Sequence, residues 1–156
     1  MRFFCDSMLG RLSVYLRILG IDAEYSNSKL FDVKVEEARR SDRIFLTRDT
    51  RILRLKWMIK YYFVESNFPE FQVIDVLRAF EIQRDMLKPF LRCLRCNTEL
   101  RGISKEEIRD RVPDYVYQVQ SSFSYCDGCD SVYWRGSHYE RMRRWVEKVI
   151  TVLPTT

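Results

Sequence analysis

The amino-acid sequence predicts an α/β protein: a parallel sheet flanked by helices, followed by a small cysteine-stapled module and a C-terminal helix. Three observations predict it. Over the first 88 residues, four short apolar runs each lead into a segment with helical spacing of its apolar residues, the pattern of β-α-β crossovers. Four of the five cysteines fall in two CxxC pairs between residues 93 and 129. At 156 residues, 46% hydrophobic, with five Gly and four Pro, the chain can bury a core and is neither disordered nor collagen-like.

The elements follow in order. Arg2–Cys5 is a buried strand ending at Asp6, with Cys5 a small buried hydrophobe. Leu9, Leu12, Leu16 and Leu19 form a helical stripe that Gly20 stops. Ile21–Tyr25 is the second strand, and a helix runs from an Asp32 cap to Arg40. Ile44–Leu46 is a third strand ending in Thr47-Arg48-Asp49, after which Ile52, Leu55 and Ile59 mark a helical face. Tyr61–Val64 is the fourth strand, ending in Glu65-Ser66-Asn67, and Pro69 opens a helix with Phe71, Ile74, Leu77 and Phe80 as its apolar positions. Residues 81–89 form a linker, which divides the chain into domains at 1–88 and 89–156. In the second, Ser104 and Glu107 form a capping box with Ile103 and Ile108 as its hydrophobic staple, and Pro113 ends that helix. Gln118–Tyr125 and Ser131–Trp134 are strands around the second CxxC, and a basic helix closes the chain with Met142, Trp145 and Val146 facing inward.

In a parallel sheet of this kind the site lies beyond the carboxyl ends of the strands. Asp6, Asp49 and Asn67 leave three such ends, and Asp32 opens a helix on the same rim. Each acid alone is an ordinary cap or turn residue. Together, carboxylates on one rim repel unless a cation sits between them, and hard oxygen donors suit Mg²⁺ or Mn²⁺. On this reading, replacing Asp6 or Asp49 by Asn leaves stability unchanged or raised. No nucleotide-binding glycine loop, Gly-flanked nucleophilic serine or multi-histidine metal site is present.

Cys93-Leu-Arg-Cys96 and Cys126-Asp-Gly-Cys129, 29 residues apart, have the spacing of a tetrahedral four-thiolate zinc site, and Gly128 stands where a knuckle turn takes positive φ. Two disulfides or a redox pair are the alternatives. Disulfides fit poorly with a chain whose N-terminus lacks the apolar core of an export signal, and a redox motif needs no duplicate. A cytoplasmic protein with no membrane contact is expected. The net charge is +5, from 27 Lys plus Arg and 22 Asp plus Glu, a mild excess that permits a polyanionic partner without demanding one. It is locally sharper. Five bases (Arg48, Arg51, Arg54, Lys56, Lys60) stand against one acid between Arg48 and Val64.

Several of these motifs occur in combination. Asp6, Met8-Leu-Gly-Arg-Leu12, Tyr15-Leu-Arg17, Leu46-Thr-Arg-Asp49, the paired CxxC knuckles, Ser104–Pro113 and Tyr133-Trp-Arg-Gly-Ser-His138 resemble the Mut-7 C-terminal RNase domain family, over about residues 1–148. The resemblance implies a PIN-like parallel sheet flanked by helices, fused to a zinc ribbon, and a metal-dependent ribonuclease, endonucleolytic in mode. It implies catalytic metal-site acids at Asp6, Asp32 and Asp49, Mg²⁺ or Mn²⁺ as catalytic ion, and zinc on Cys93, Cys96, Cys126 and Cys129. An acid usually stands in the family where this chain has Asn67, so the implied site has one negative charge fewer; Glu36 or Glu37 could substitute. Arg11, Arg17 and Arg48, close to the acids in sequence, would contact RNA phosphates, or are ordinary solvated surface. Trp134 and His138, with Tyr133, would stack on unpaired bases, or belong to the ribbon's small core. The alternative reading is a PIN-like RNA-binding module without metal chemistry; a third is a zinc-ribbon protein adaptor.

Overall fold

The computed structural model describes residues 1–55 and 58–154, so Lys56 of the basic stretch lies outside the described residues. The four apolar runs become strands β1 (Arg2–Cys5), β2 (Asp22–Tyr25), β3 (Ile44–Thr47) and β4 (Tyr61–Phe63) of one parallel sheet, in the order β2-β1-β3-β4. Alternation along β1 sends Phe3 and Cys5 to one face and Phe4 to the other. Helices α1 (Gly10–Ile18) and α3 (Pro69–Ala79) cover the first face, where Leu12, Leu16, Leu19, Val73 and Leu77 are fully buried. Helix α2 (Phe31–Arg40) covers the second with Phe31 and Ala38, joined by Phe45 and Ile52. The inner strands β1 and β3 are largely apolar, as burial on both faces requires, whereas edge strand β2 (Asp22-Ala-Glu-Tyr) buries only Ala23.

Three local expectations are corrected. Leu30, not Asp32, is the N-cap of α2, and Asp32 sits in the first helical turn, where its charge faces the positive end of the helix dipole. The segment after β3 is a five-residue 3-10 turn, Thr50–Arg54, rather than a helix reaching Ile59. Phe71 is exposed, whereas the expected Leu77 is fully buried, Ile74 and Phe80 pack against the core, and Val73 and Val76 join them.

Gly20 ends α1 with φ +81°, and a Cβ there would lie 1.9 Å from the Lys88 carbonyl oxygen. Both facts require glycine. The close approach exists because the 81–89 segment is tied to α1: Lys88 N donates to Leu19 O (3.1 Å) and Phe90 N to Ile18 O (2.9 Å).

Strands β5 (Arg101–Ile103), β6 (Phe123–Tyr125) and β7 (Val132–Trp134) form an antiparallel sheet ordered β5-β6-β7. The capping-box segment is a 3-10 helix, Glu106–Arg111, with Ser104 N and Oγ both donating to Glu107. Pro113 precedes α4 (Asp114–Val119), so the expected strand from Gln118 shortens to β6. Ile108, Val112 and Phe123 form the ribbon's own apolar cluster. Helix α5 (Ser137–Val152) does not stay with it. Val146, Val149 and Leu153 enter the core of the parallel sheet, and Trp145 stacks on Tyr15 at 4.6 Å. No described helix is long and apolar enough to cross a membrane.

Candidate functional site

Strand β1 is followed by β2 on one side and bordered by β3 on the other, so the β1/β3 boundary is the topological switch point of the sheet. The residues that leave these two strands meet there. Asp6 N donates to Leu46 O at 3.0 Å, which locks the exit of β1 against β3. The Asp6 carboxylate is 1% exposed, and both its oxygens are engaged. Oδ2 accepts from Thr47 Oγ1 at 2.6 Å, and Oδ1 accepts from Ser7 N and from the ammonium of Lys34, itself 3% exposed. Lys34 Nζ also donates to Ser7 Oγ at 2.9 Å. Burial works to raise the Asp6 pKa, but the hydrogen bonds from Lys34 and Thr47 outweigh it and hold the carboxyl below the ordinary range.

Asp49 caps the 3-10 turn after β3. Its backbone N–H donates to Thr47 Oγ1 at 2.9 Å, so Thr47 links the Asp6 carboxylate to the Asp49 main chain. The Asp49 side chain takes a two-pronged contact from Arg51 (Nε 3.0 Å, Nη2 2.5 Å), which lowers its pKa above all other causes. Asp32 is exposed at the start of α2. The repulsion between Asp6 and Asp49 expected from sequence is therefore absent: each carboxylate has its own cation.

Asn67 Oδ1 accepts from Arg48 Nη2 at 2.5 Å, while Arg48 Nη1 donates to the carbonyls of Val64 (3.0 Å), Glu65 (2.6 Å) and Ser66. Arg48 thus fastens the exit of β4. Arg17 is buried between sheet and ribbon, its Nε on Ala23 O (2.8 Å) and Nη1 on Leu94 O (2.9 Å) and Arg95 O (3.1 Å). Arg11 is exposed in the first turn of α1. Glu36 is drawn to about pKa 2 by Arg39 and Arg40, and Glu37 is exposed on the same helix.

This donor set does not fit a divalent ion as it stands. Among the described residues, Asp6, Asp32 and Asp49 do not converge within reach of one ion, and the two inner carboxylates are neutralised by Lys34 and Arg51. The four cysteines do fit. The Sγ atoms of Cys93, Cys96, Cys126 and Cys129 all lie within 4.8 Å of one another, a cluster sized for one tetrahedral ion. Three hydroxyls surround them: Tyr133 Oη lies 3.1 Å from Cys93 Sγ, Ser131 Oγ 3.1 Å from Cys129 Sγ, and Thr98 Oγ1 3.4 Å from Cys96 Sγ. Burial opposes ionisation of Cys93, but the Tyr133 hydroxyl and two backbone N–H groups outweigh it and lower its pKa. Such outer partners orient ligands and temper their charge. The positive-φ positions of the knuckles are Asn97 (+70°) and Asp130 (+57°), one past each CxxC, not Gly128. Gly128 is needed for space, since a Cβ would lie 2.4 Å from Thr98 Oγ1.

The first knuckle also docks on the parallel sheet. Asn97 Oδ1 accepts from Ala23 N (3.1 Å) on the open edge of β2, and Asn97 Nδ2 donates to Asp22 (2.7 Å), which Arg43 holds from the other side. Trp134 is half-buried at the end of β7, and His138 is exposed in the first turn of α5 with Arg141 Nη2 at 2.9 Å from its Nδ1.

Lys34 and Thr47 are the side chains that fix Asp6 at this candidate site, and the sequence motifs assign neither a role. A signal existed for Lys34: it falls on the apolar face of α2 with Phe31 and Ala38, three and four residues away, where a lone charge implies a buried partner.

No curated protein and no solved structure matches the chain. A family model described as Mut7-C RNAse domain does, over residues 1–146, and with the parallel α/β sheet, the four-cysteine centre and the start of the returning C-terminal helix within that span, the chain belongs to the Mut7-C RNAse domain family.

Proposed function

We propose that this protein is a ribonuclease that cleaves RNA at the rim where β1 and β3 end, with Asp6 as its central carboxylate. One observation carries the reading. Asp6 is buried at the switch point of the sheet and fixed there by side chains from two other elements, Lys34 of α2 and Thr47 of β3. A carboxylate held so firmly at the position where α/β sheets bind ligands is built for a site rather than for solvation. Asp49 and the exposed guanidiniums of Arg51 and Arg11 line the approach, where phosphates of an RNA strand would find cations.

The ribbon's cysteines would hold one zinc ion, which contributes folding energy to that module and takes no part in the chemistry. Magnesium or manganese at the rim, expected from the sequence along with an endonucleolytic mode, would have to draw Asp6 from Lys34 and Asp49 from Arg51. That same pairing favours the second reading, an RNA-binding module that does not cut. Incubating the zinc-loaded protein with internally labelled single-stranded RNA in Mg²⁺, Mn²⁺ or EDTA separates the two. Internal fragments support an endonuclease, and intact RNA in every condition with salt-sensitive binding supports the module.

A further inference from the structure

Trp134 stands between two cavities where the ribbon meets α5. One, of about 300 Å³, is walled by Phe90, Tyr133, Tyr139 and Arg135; the other, of about 420 Å³, runs along Gly136 and His138, and Trp134 and Tyr139 border both. The indole is anchored on the Ile108–Val112–Phe123 cluster and is exposed enough to border open space on two sides. Gly136 leaves it that room, since a Cβ there would lie 3.0 Å from Trp134 Nε1. Phe90 and Tyr139 form a tilted ring pair at 4.5 Å, and the Arg135 guanidinium lies 5.7 Å over the Tyr139 ring. Among the described residues no Asp or Glu lines either cavity, while Arg92 and Arg135 line the first.

We propose that this groove is a second RNA site, which takes unpaired bases of single-stranded RNA by stacking on Trp134 and Tyr139 while Arg135 meets the adjacent phosphate. The proposal rests on the ribonuclease reading for the identity of its ligand. Aromatic faces beside a cation, with no acid in the lining, are the chemistry that binds bases without reading their sequence. Arg92 contributes less, because Asp22 and Glu99 already hold it. The groove does not belong to the rim. Asp6 precedes the N-terminal end of α1, whereas Phe90 is bonded to Ile18 at the other end, about 13 Å along the helix axis. The Tyr133 wall, within 3.1 Å of Cys93 Sγ, ties the groove to the zinc centre, so metal loss would remove it.

The test is fluorescence anisotropy with three probes: a labelled oligouridine, the same ribose-phosphate backbone carrying abasic residues, and uridine monophosphate. Trp134→Leu is expected to weaken oligouridine binding about 5- to 150-fold, the range for loss of one base–aromatic stack, and to leave the abasic backbone's affinity within about twofold. Arg135→Gln should weaken both oligomers alike, because it removes a phosphate contact. Tyr139→Leu serves as a second stacking variant, and zinc content and melting temperature report whether each variant is folded. Unchanged oligouridine affinity in a folded Trp134→Leu or Tyr139→Leu protein would overturn the proposal, as would equal losses on the abasic backbone. Uridine monophosphate binding as tightly as the oligomer would also overturn it, making the groove a mononucleotide site. Stacking losses in a protein that cleaves nothing would uphold the groove and sink the ribonuclease reading; cleavage with unaltered affinities would sink the groove alone.

Discussion

Removing either partner of the Asp6–Lys34 pair should cost stability, whereas removing both should cost much less. Both side chains are almost wholly buried, so Lys34→Met strands the Asp6 carboxylate and Asp6→Asn strands the ammonium. Breaking a buried ion pair from one side costs about 3–5 kcal/mol. The Asp6 carboxylate retains Thr47 and Ser7, while the ammonium retains only Ser7 Oγ, so Lys34→Met should fall at the lower end and Asp6→Asn at the upper. At roughly 2–4 °C per kcal/mol for a chain of this size, the melting temperature should fall by about 6–20 °C. The double variant Asp6→Asn, Lys34→Met buries no net charge and should recover a large part of that loss, giving a coupling of several kcal/mol of opposite sign to the single costs. Urea unfolding of the zinc-loaded protein measures all four states. Single costs below about 1 kcal/mol, or strictly additive effects, would refute the pairing; a raised stability for Asp6→Asn would restore the picture of mutually repelling acids.

Three further outcomes follow from the same contacts. Purified, reduced protein should contain about one zinc per chain, and Cys96→Ser or a strong chelator should abolish the ribbon's signals; because Asn97 and Arg17 tie the knuckle to β2 and α1, the N-terminal sheet should lose stability too, read as a lower melting temperature rather than a separate unaffected transition. The carboxyls of Asp6 and Asp22 are both lowered below the ordinary value of about 3.9, so their contribution is fully present above that pH and is lost as pH falls through their lower folded values; acid titration of unfolding free energy should steepen below about pH 4, and Asp22→Asn should blunt it. Asn67→Asp should pair with Arg48 and raise thermal stability by no more than about 1 kcal/mol, without creating a Mn²⁺ site, as electron paramagnetic resonance of added Mn²⁺ would report.

The sheet was legible because burial on both faces demands uninterrupted apolar strands, and Phe3-Phe4-Cys5 and Phe45-Leu46 announce it without reference to anything distant. The cysteine centre was legible because its spacing alone defines it. What the sequence concealed were pairings between residues far apart in the chain. Lys34 lies 28 residues from Asp6 and Thr47 lies 41, and only the fold brings them to one carboxylate. Arg17 and Arg48 looked like surface cations beside acids, yet each turns inward to carbonyls of a neighbouring segment, Arg17 across 77 residues. The linker at 81–89 separates the two cores in chain order, but α5 crosses back to the first, because its inward face needs apolar area that the small ribbon does not possess.

In the proposed function RNA is cut at the Asp6 rim. The direct measurement is the rate of single-stranded RNA cleavage by the unmodified protein, by Asp49→Asn, and by the charge-balanced Asp6→Asn, Lys34→Met protein, each folded and zinc-loaded, across Mg²⁺ and Mn²⁺ concentrations and in EDTA. Cleavage is expected from the first, with a loss of at least about a hundredfold in the other two and RNA affinity within a few-fold. Cleavage that persists at full rate without the Asp6 carboxylate would contradict the proposal.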